Sequence, residues 1–268
     1  MVKLIVSDLD GTLLPMHGEG LTLKTKDLIQ KLLDKGIHFC AASGRQLYSE
    51  YKLFSYIDDY KTRLSYISDN GSICIHDGKV LFENYFDPEM AKEIIRKVKE
   101  YPYLELAVSG TKGCYIESKN KEYVKRLTAD SLTNAIVVDD CSQIEDSIIK
   151  IAFLYRKKDG LSVEAFMEYF REYFYELLDG EIRIITSGFR WIDFIPTHIN
   201  KGTTLSLLLK RLDIKPEECI AFGDQQNDIE MLELVGTSYA MSHGSDLVKE
   251  AATHVVDSVD EVLEALLT

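Results

Sequence analysis

The sequence lacks any apolar run long enough to cross a membrane. A membrane-spanning helix needs roughly 18 or more consecutive apolar residues, and no segment of this chain approaches that length. The apolar stretch near the N-terminus, Leu4 to Val6, is also too short for a secretory signal. We therefore expect a cytoplasmic protein with no membrane partner.

Paired cysteines are missing as well. The five cysteines are odd in number, widely separated and never arranged as Cys-x-x-Cys. This pattern predicts neither a disulfide framework nor a zinc site, and it is typical of proteins from a reducing compartment.

Positive charge is scarce. Lys and Arg number 31 against 44 Asp and Glu, which gives a net charge of −13 that would repel nucleic acid and anionic membranes. A small anionic substrate remains compatible with this charge if a cation or a local Lys reverses the potential inside one pocket. We expect a small anionic substrate as partner, no nucleic acid, and a monomer or weak homo-oligomer.

Both ends of the chain alternate short apolar runs with amphipathic stretches. Leu4 to Val6 and Ile37 to Ala42 read as strands on either side of a helix from Lys24 to Lys35, and a helix from Lys201 to Leu212 precedes a strand from Cys219 to Phe222. Strands that alternate with helices imply parallel pairing through right-handed crossovers. The sequence predicts an α/β protein with a Rossmann-like, doubly wound parallel sheet.

The middle of the chain follows a different pattern. Asp77-Gly78 is a hairpin signal that parallel α/β units do not use, Asp87-Pro88 begins a helix, and an aromatic-rich helix is predicted over Ser162 to Leu178. We predict an inserted α+β domain over residues 84–189 and a core made of residues 1–83 and 190–268. The Trp191 to Pro196 strand is expected near a hinge.

Polar residues gather where the predicted strands of the core end. The segments are Ser7-Asp8-Leu9-Asp10-Gly11-Thr12, Ser43-Gly44-Arg45, and Gly223-Asp224 followed by Asn227-Asp228. In open α/β sheets ligands bind at the carboxyl edge of the strands, so these groups are expected to converge. Each segment taken alone would also suit an ordinary turn or helix cap.

Several carboxylates at one edge require compensation. Two like charges about 4 Å apart repel by roughly 4 kcal/mol at an effective dielectric constant near 20. A divalent cation removes this cost, and oxygen ligands favour the hard ion Mg²⁺. Lys201, at the start of its predicted helix, adds a positive charge that could face the same edge.

The order of these motifs resembles the haloacid dehalogenase superfamily. Asp-x-Asp-Gly-Thr comes first, then a Ser that ends the next strand, a Lys after a long insertion, and Gly-Asp-x-x-Asn-Asp. An insertion between the Ser and the Lys resembles the second type of cap domain in that superfamily. Ser-Gly-Arg, Asp69-Asn70-Gly71 and Lys201-Gly202 are similar to the Cof-type branch, subclass IIB, which contains many sugar-phosphate and cofactor-phosphate phosphatases.

The resemblance implies a role for each residue. Asp8 would attack phosphorus to form an aspartyl phosphate, and Asp10 would serve as general acid and then general base. Mg²⁺ would be held by Asp8, Asp224 and the Asp10 carbonyl, with Asp228 holding a metal-bound water. The residues expected to bind the phosphate or the rest of the substrate are listed together: Ser43, Gly44, Lys201 and Asn227 for the phosphate, with Arg45 and Arg190 as candidates for other substrate contacts.

Alternative functions stay open at this point. A phosphomutase of the same superfamily would share the chemistry, although the Gly-rich extension of the last motif in such relatives is absent around Gln225-Gln226. A receiver-like signalling module also combines an acidic Mg²⁺ site with a phosphorylated Asp, but the inserted domain has no explanation there. A dinucleotide-binding domain is disfavoured because no Gly-x-Gly-x-x-Gly turn follows the first strand.

Overall fold

The chain divides into two compact units. The structure is a computed structural model. Unit 1 comprises Met1–Glu83 and Asn200–Thr268, and unit 2 comprises Asn84–Ile199. The structure describes residues 1–15, 20–101, 104–128, 134–155, 168, 170–174, 180–186 and 191–268.

Strands and helices alternate through most of unit 1, whereas unit 2 is richer in strands. The strands are β1 (Leu4–Ser7), β2 (His38–Ala42), β3 (Ser65–Ser68), β4 (Ile73–His76), β5 (Lys79–Glu83), β6 (Leu104–Gly110), β7 (Cys114–Glu117), β8 (Ala135–Val137), β9 (Ile148–Tyr155), β10 (Ile182–Thr186), β11 (Trp191–Pro196), β12 (Cys219–Gly223), β13 (Thr237–Met241) and β14 (His254–Val256). The helices are α1 (Leu23–Asp34), α2 (Leu47–Phe54), α3 (Tyr60–Arg63), α4 (Pro88–Lys99), α5 (Lys121–Arg126), α6 (Lys201–Leu212), α7 (Ile229–Leu234), α8 (Asp246–Ala251) and α9 (Val259–Leu267). Short 3₁₀ turns occur at Asp69–Gly71, Cys141–Gln143, Pro216–Glu218 and Gln226–Asp228.

Unit 1 is built on an eight-stranded sheet in the order β14-β13-β12-β1-β2-β3-β4-β5. The six strands from β14 to β3 run parallel, and β4 and β5 add an antiparallel edge. The hairpin between β4 and β5 turns at Asp77 and Gly78, whose φ angles of 52° and 65° suit the left-handed turn that joins tightly paired strands. The predicted hairpin is confirmed.

Helix α1 shows why the flanking elements form where they do. Its N-cap Thr22 accepts a hydrogen bond from the Thr25 backbone N–H at 3.0 Å, and Leu28, Ile29 and Leu32 fall on one buried face. Burying such a side chain stabilises the fold by about 1.5–3 kcal/mol. The helix stops before Gly36, whose φ of +79° a residue with a side chain adopts only at a cost.

Unit 2 contains a six-stranded sheet in the order β10-β11-β9-β6-β7-β8. All neighbours are antiparallel except β7 and β8, which are parallel. Helix α4 contributes to an aromatic-rich core on one side of this sheet, with Phe153, Phe170, Phe174 and Phe194 fully buried. The predicted helix from Ser162 to Leu178 lies largely outside the described residues.

The second boundary between the units differs from the sequence prediction. The sequence predicts a boundary at residue 190, with the Trp191 to Pro196 strand in the core, whereas the strand belongs to unit 2 and the chain returns to unit 1 at Asn200. The reason is strand pairing, because β11 lies between β9 and β10, with Ile192 opposite Phe153 and Thr186. A short apolar strand carries no local signal of the sheet it joins.

The predicted fold class is confirmed. The core is an α/β unit around a mainly parallel sheet, and the insertion is an α+β unit. Within the part of the chain that the structure describes, no helix combines the length and the apolar character needed to cross a membrane.

Candidate active site

The central strand β1 brings the first acidic motif to the carboxyl edge of the sheet. It pairs in parallel with β2 on one side and β12 on the other, and Ser7 lies opposite both Ala41 and Phe222. Asp8 follows directly, with its backbone N–H donating to the Phe222 carbonyl at 2.9 Å. The residues that come after all three strands therefore share one edge, as the sequence predicts.

Lys201 joins two carboxylates at this edge. Its Nζ donates to Asp8 Oδ1 and to Asp228 Oδ1, each at 2.6 Å, and the Lys201 and Asp228 side chains are fully buried. The capping box of α6 fixes the backbone here, because Asn200 Oδ1 accepts from the Thr203 N–H at 2.7 Å. Burial by itself would lower the pKa of Lys201, but Asp228 and Asp8 hold it above its ordinary value, so the ammonium stays charged.

Asp8, Asp224 and Asp228 form a buried acidic cluster. Each of the three offers one carboxylate oxygen, and these oxygens lie within 4.8 Å of one another. Burial is the main cause that raises the pKa of Asp8 well above its ordinary value, with Lys201 opposing it. The pKa of Asp224 is raised by burial and then by Asp228.

This cluster fits a hard divalent cation. All of its donors are oxygens, which is the ligand set that Mg²⁺ prefers. Space at the cluster is tight, because a Cβ on Gly11 would lie 2.5 Å from Asp224 Oδ2. The Gly11 backbone has φ +88°, so a glycine is required there on conformational grounds too.

The motif around Asp224 is held by hydrogen bonds of its own. Asp228 Oδ2 accepts from the backbone N–H groups of Asp224 and Gln225, both at 3.0 Å. Asp224 Oδ1 accepts from Thr12 Oγ1 at 3.0 Å, and its Oδ2 accepts from Gln225 Nε2 at 3.0 Å. The Thr of Asp-x-Asp-Gly-Thr therefore orients a carboxylate 212 positions away in the sequence.

Asp10 lies apart from the acidic cluster. Its carboxylate accepts two hydrogen bonds from Arg45, from Nε at 2.7 Å and from Nη2 at 2.6 Å. The Asp10 side chain is 56% exposed and that of Arg45 is 31% exposed. Arg45, which the sequence predicts as a substrate contact, therefore pairs with the residue predicted as general acid.

The predicted phosphate-binding residues differ in their hydrogen-bond partners. Ser43 is buried, and its Oγ accepts from the Arg45 backbone N–H at 3.1 Å, which leaves Gly44 at the tip of the turn after β2. Asn227 Nδ2 donates to Asn70 Oδ1 at 2.9 Å, a contact that the sequence does not predict. Asn227 Oδ1 is buried and has no hydrogen-bond partner among the described residues. Arg190 lies outside the described residues.

His243 is a further residue at this edge that sequence reasoning misses. Its Nε2 lies 3.6 Å from Asp224 Oδ2, and its side chain is 35% exposed. The available signal is topological, because β13 is the parallel neighbour of β12 and His243 comes just after its carboxyl end.

A sequence profile of the haloacid dehalogenase-like hydrolases matches residues 5–266. The chain belongs to this family. A curated relative, the 5-amino-6-(5-phospho-D-ribitylamino)uracil phosphatase of Escherichia coli, is 26% identical over 272 residues, which cover 98% of this chain and 97% of the relative.

Solved structures agree with this membership. A crystal structure of a Streptococcus mutans protein is 27% identical, has a TM-score of 0.85 and covers 100% of this chain and 99% of its own. A subclass IIB sugar phosphatase of the superfamily shares the fold, with a TM-score of 0.80 at 20% identity and 99% of each chain covered. The predicted resemblance to the haloacid dehalogenase superfamily is confirmed by the family match, and the phosphatase relatives confirm the predicted enzyme class, a hydrolase of the phosphomonoesterase type.

Proposed function

We propose that the chain is a Mg²⁺-dependent phosphatase that hydrolyses small phosphomonoesters through an aspartyl phosphate on Asp8. The observation that carries this proposal is the buried Lys201 ammonium shared between Asp8 and Asp228, beside Asp224. Such an arrangement places a carboxylate nucleophile, a fixed cation and a hard-metal site within one small region. In-line phosphoryl transfer requires these three components.

Asp8 supplies the nucleophile in this mechanism. Its carboxylate attacks phosphorus, the bond from phosphorus to the leaving oxygen breaks, and water later hydrolyses the acyl phosphate. Lys201 fixes Asp8 Oδ1 at 2.6 Å and so limits the directions in which the other oxygen can approach. The same ammonium stabilises the ionised form of Asp8 against its burial.

Mg²⁺ would be held by Asp8, Asp224 and the Asp10 carbonyl, with Asp228 holding a water of the ion. When bound, the ion neutralises charge on the phosphoryl group and on the acidic cluster. Thr12 and Gln225 keep Asp224 oriented toward this position. Ser43, the Gly44 N–H, Lys201 and Asn227 bind the phosphate oxygens in this proposal.

Asp10 gives its proton to the departing alkoxide and then takes one from the attacking water. The Arg45 pair has to open before Asp10 can do either, since both carboxylate oxygens accept from the guanidinium. Both partners are partly exposed, and exposed ion pairs contribute only about 0–1 kcal/mol. Opening the pair therefore costs little free energy.

The substrate is a small phosphorylated metabolite, a sugar phosphate or a cofactor-related phosphate. The names of the relatives support this class, because one acts on a phosphorylated ribitylamino uracil and another is a sugar phosphatase. The net charge of −13 disfavours nucleic acid. A cytoplasmic location and a monomer or weak homo-oligomer complete the proposal.

Release of inorganic phosphate from p-nitrophenyl phosphate with Mg²⁺ tests this function, with Asp8→Asn as the comparison. The neutral amide is nearly isosteric but a poor nucleophile, so turnover should fall by about 10³-fold or more. Circular dichroism should show an unchanged fold. Turnover of the variant within tenfold of wild type would rule out Asp8 as the nucleophile, and transfer of the phosphoryl group to an added sugar phosphate would indicate a mutase.

A further inference from the structure

Three consecutive residues after β3 adopt left-handed backbone angles. Asp69, Asn70 and Gly71 have φ values of 49°, 59° and 105°, and all three are buried. We call this segment the Asp69–Gly71 turn. Left-handed residues cluster where surrounding contacts hold them, because only Gly and, less readily, Asn and Asp adopt this conformation.

The first of these contacts is with the loop predicted to bind phosphate. The backbone N–H of Asp69 donates to the Arg45 carbonyl at 2.8 Å, and that of Asn70 donates to the Ser43 carbonyl at 3.0 Å. These two bonds flank Gly44 on either side. Consecutive N–H groups can point at one loop in this way because the backbone of the turn is left-handed.

The second contact is with the last motif. Asn70 Oδ1 accepts from Asn227 Nδ2 at 2.9 Å, between buried residues 157 positions apart in the sequence. This bond sets the plane of the Asn227 amide. The buried Oδ1 of Asn227 is thereby fixed in direction as well.

The third contact is with the helix that carries Lys201. Thr204 Oγ1 donates to the Gly71 carbonyl at 2.6 Å. A Cβ on Gly71 would lie 2.4 Å from the Asn200 carbonyl oxygen and 3.1 Å from the Lys201 backbone nitrogen. The turn therefore packs directly against the first residue of α6, which only a glycine permits.

We infer that the Asp69–Gly71 turn positions the phosphate-binding groups relative to one another, and that Asn70 is its main positioning residue. The inference rests on the proposed function and deepens it. The turn bonds to three chain segments that are remote in sequence, which carry Ser43, Asn227 and Lys201 respectively. Asn70 combines a left-handed backbone with a side-chain acceptor, and Gly would keep only the first of these properties.

The test compares Asn70→Gly with a matched control, Asp213→Gly. Asp213 also has a left-handed backbone, φ 54°, but caps the far end of α6 and is exposed. We expect Asn70→Gly to weaken competitive inhibition by inorganic phosphate about tenfold, the worth of one buried hydrogen bond. Asp213→Gly should leave phosphate inhibition and the turnover of p-nitrophenyl phosphate within twofold of wild type.

A double-mutant cycle with Asn227→Ala distinguishes an effect of Asn70 through Asn227 from a general loss of order in the site. If Asn70 acts through Asn227, each single variant loses about the same phosphate affinity and the double variant loses no more. Losses of phosphate affinity that multiply in the double variant would overturn the inference. Equal inhibition constants for Asn70→Gly and wild type would also overturn it. Thr204→Val, which removes the bond to Gly71, provides a second test if Asn70→Gly does not fold. We expect Thr204→Val to weaken inhibition by phosphate at least threefold. An unchanged inhibition constant for this variant would overturn the inference. Absence of turnover in the wild type would instead refute the proposed function, and the inference with it.

Discussion

Lys201 and Arg45 pair with carboxylates of the proposed site in different ways. The Lys201 ammonium is fully buried between two carboxylates, so its removal would leave uncompensated buried charge, which typically costs about 3–5 kcal/mol. Arg45 holds Asp10 in a two-bond pair that is partly exposed, where solvent screening reduces the gain to about 0–1 kcal/mol. Lys201 therefore fixes the site, whereas Arg45 can release its partner.

Asp10→Asn tests whether Asp10 acts as the general acid. If Asp10 protonates the leaving group, the variant should slow sugar phosphates by about 10²- to 10⁴-fold more than p-nitrophenyl phosphate, whose phenolate departs with little help. The measurement is the ratio of the two losses in kcat/KM. Equal losses on both substrates, with no trapped aspartyl phosphate, would limit Asp10 to holding the metal.

Glu50, a fully buried acid on α2, gives a prediction for pH dependence. Burial raises its pKa well above the ordinary 4.5, although the Ser68 hydroxyl, which donates to Oε2 at 2.6 Å, acts in the opposite direction. Because the folded state binds the proton more tightly, the stability that Glu50 adds is complete below about pH 4.5 and is lost as pH rises through the folded pKa. Glu50→Gln, which cannot ionise, should therefore gain stability relative to wild type as pH rises above about 4.5.

Thermal unfolding from pH 5 to pH 8 measures this difference. The curves of wild type and Glu50→Gln should diverge as pH rises. Glu233→Gln, at an exposed position on α7, is the control and should follow the wild type. A constant offset between Glu50→Gln and wild type across the range would contradict the shifted pKa.

Local sequence identifies the residues at the ends of strands but not the side-chain pairs between them. Asp8, Asp224, Asp228 and Lys201 are predictable because each follows a recognisable strand or starts a helix. The Arg45 pair with Asp10, the Asn70 pair with Asn227 and the approach of His243 to Asp224 depend on side-chain directions after folding. No spacing in the sequence encodes those directions.

The loop after β1 illustrates how one element shapes the acidic cluster. Gly11→Ala should destabilise the protein for two reasons. The left-handed backbone should cost about 1–2 kcal/mol, and the clash of the added Cβ with Asp224 Oδ2 should cost about 1–3 kcal/mol. Gly36→Ala is the matched control, since Gly36 has φ +79° with no atom within 4 Å of the added Cβ. Unfolding in denaturant should show Gly11→Ala as the less stable variant, and its Mg²⁺ affinity should fall. Equal stabilities and unchanged Mg²⁺ binding would contradict the close approach.

Elements with their own caps and periodicity are the ones that the sequence predicts well. Helix α6 is predicted over Lys201 to Leu212, the bounds that it has in the structure, because the apolar spacing and the end of the helix are both local. Strand β11 is also predicted at its correct place in the chain, but its sheet is not. Its membership follows from pairing with β9 and β10, which is a non-local choice.

For the whole molecule, we expect Mg²⁺ to act as a stabilising ligand as well as a cofactor. Ligand at 100 times its dissociation constant adds about 2.7 kcal/mol to the free energy of unfolding, so the melting temperature should rise with added Mg²⁺. A chelator should abolish turnover, Mg²⁺ should restore it, and Ca²⁺ should inhibit because it prefers more ligands. Asp224→Asn should show little thermal shift with Mg²⁺. Full turnover in chelator would contradict a metal-dependent enzyme.

The place of β1 in its sheet has a consequence for biosynthesis. Strand β1 leaves the ribosome well before one of its two neighbours, β12, which begins at Cys219. Until that segment has been translated, the nascent chain carries an apolar strand with an unpaired edge, the kind of surface that chaperones protect. Unit 2 is complete in the nascent chain before β12 emerges, so it can fold while the sheet of unit 1 still lacks its last strands.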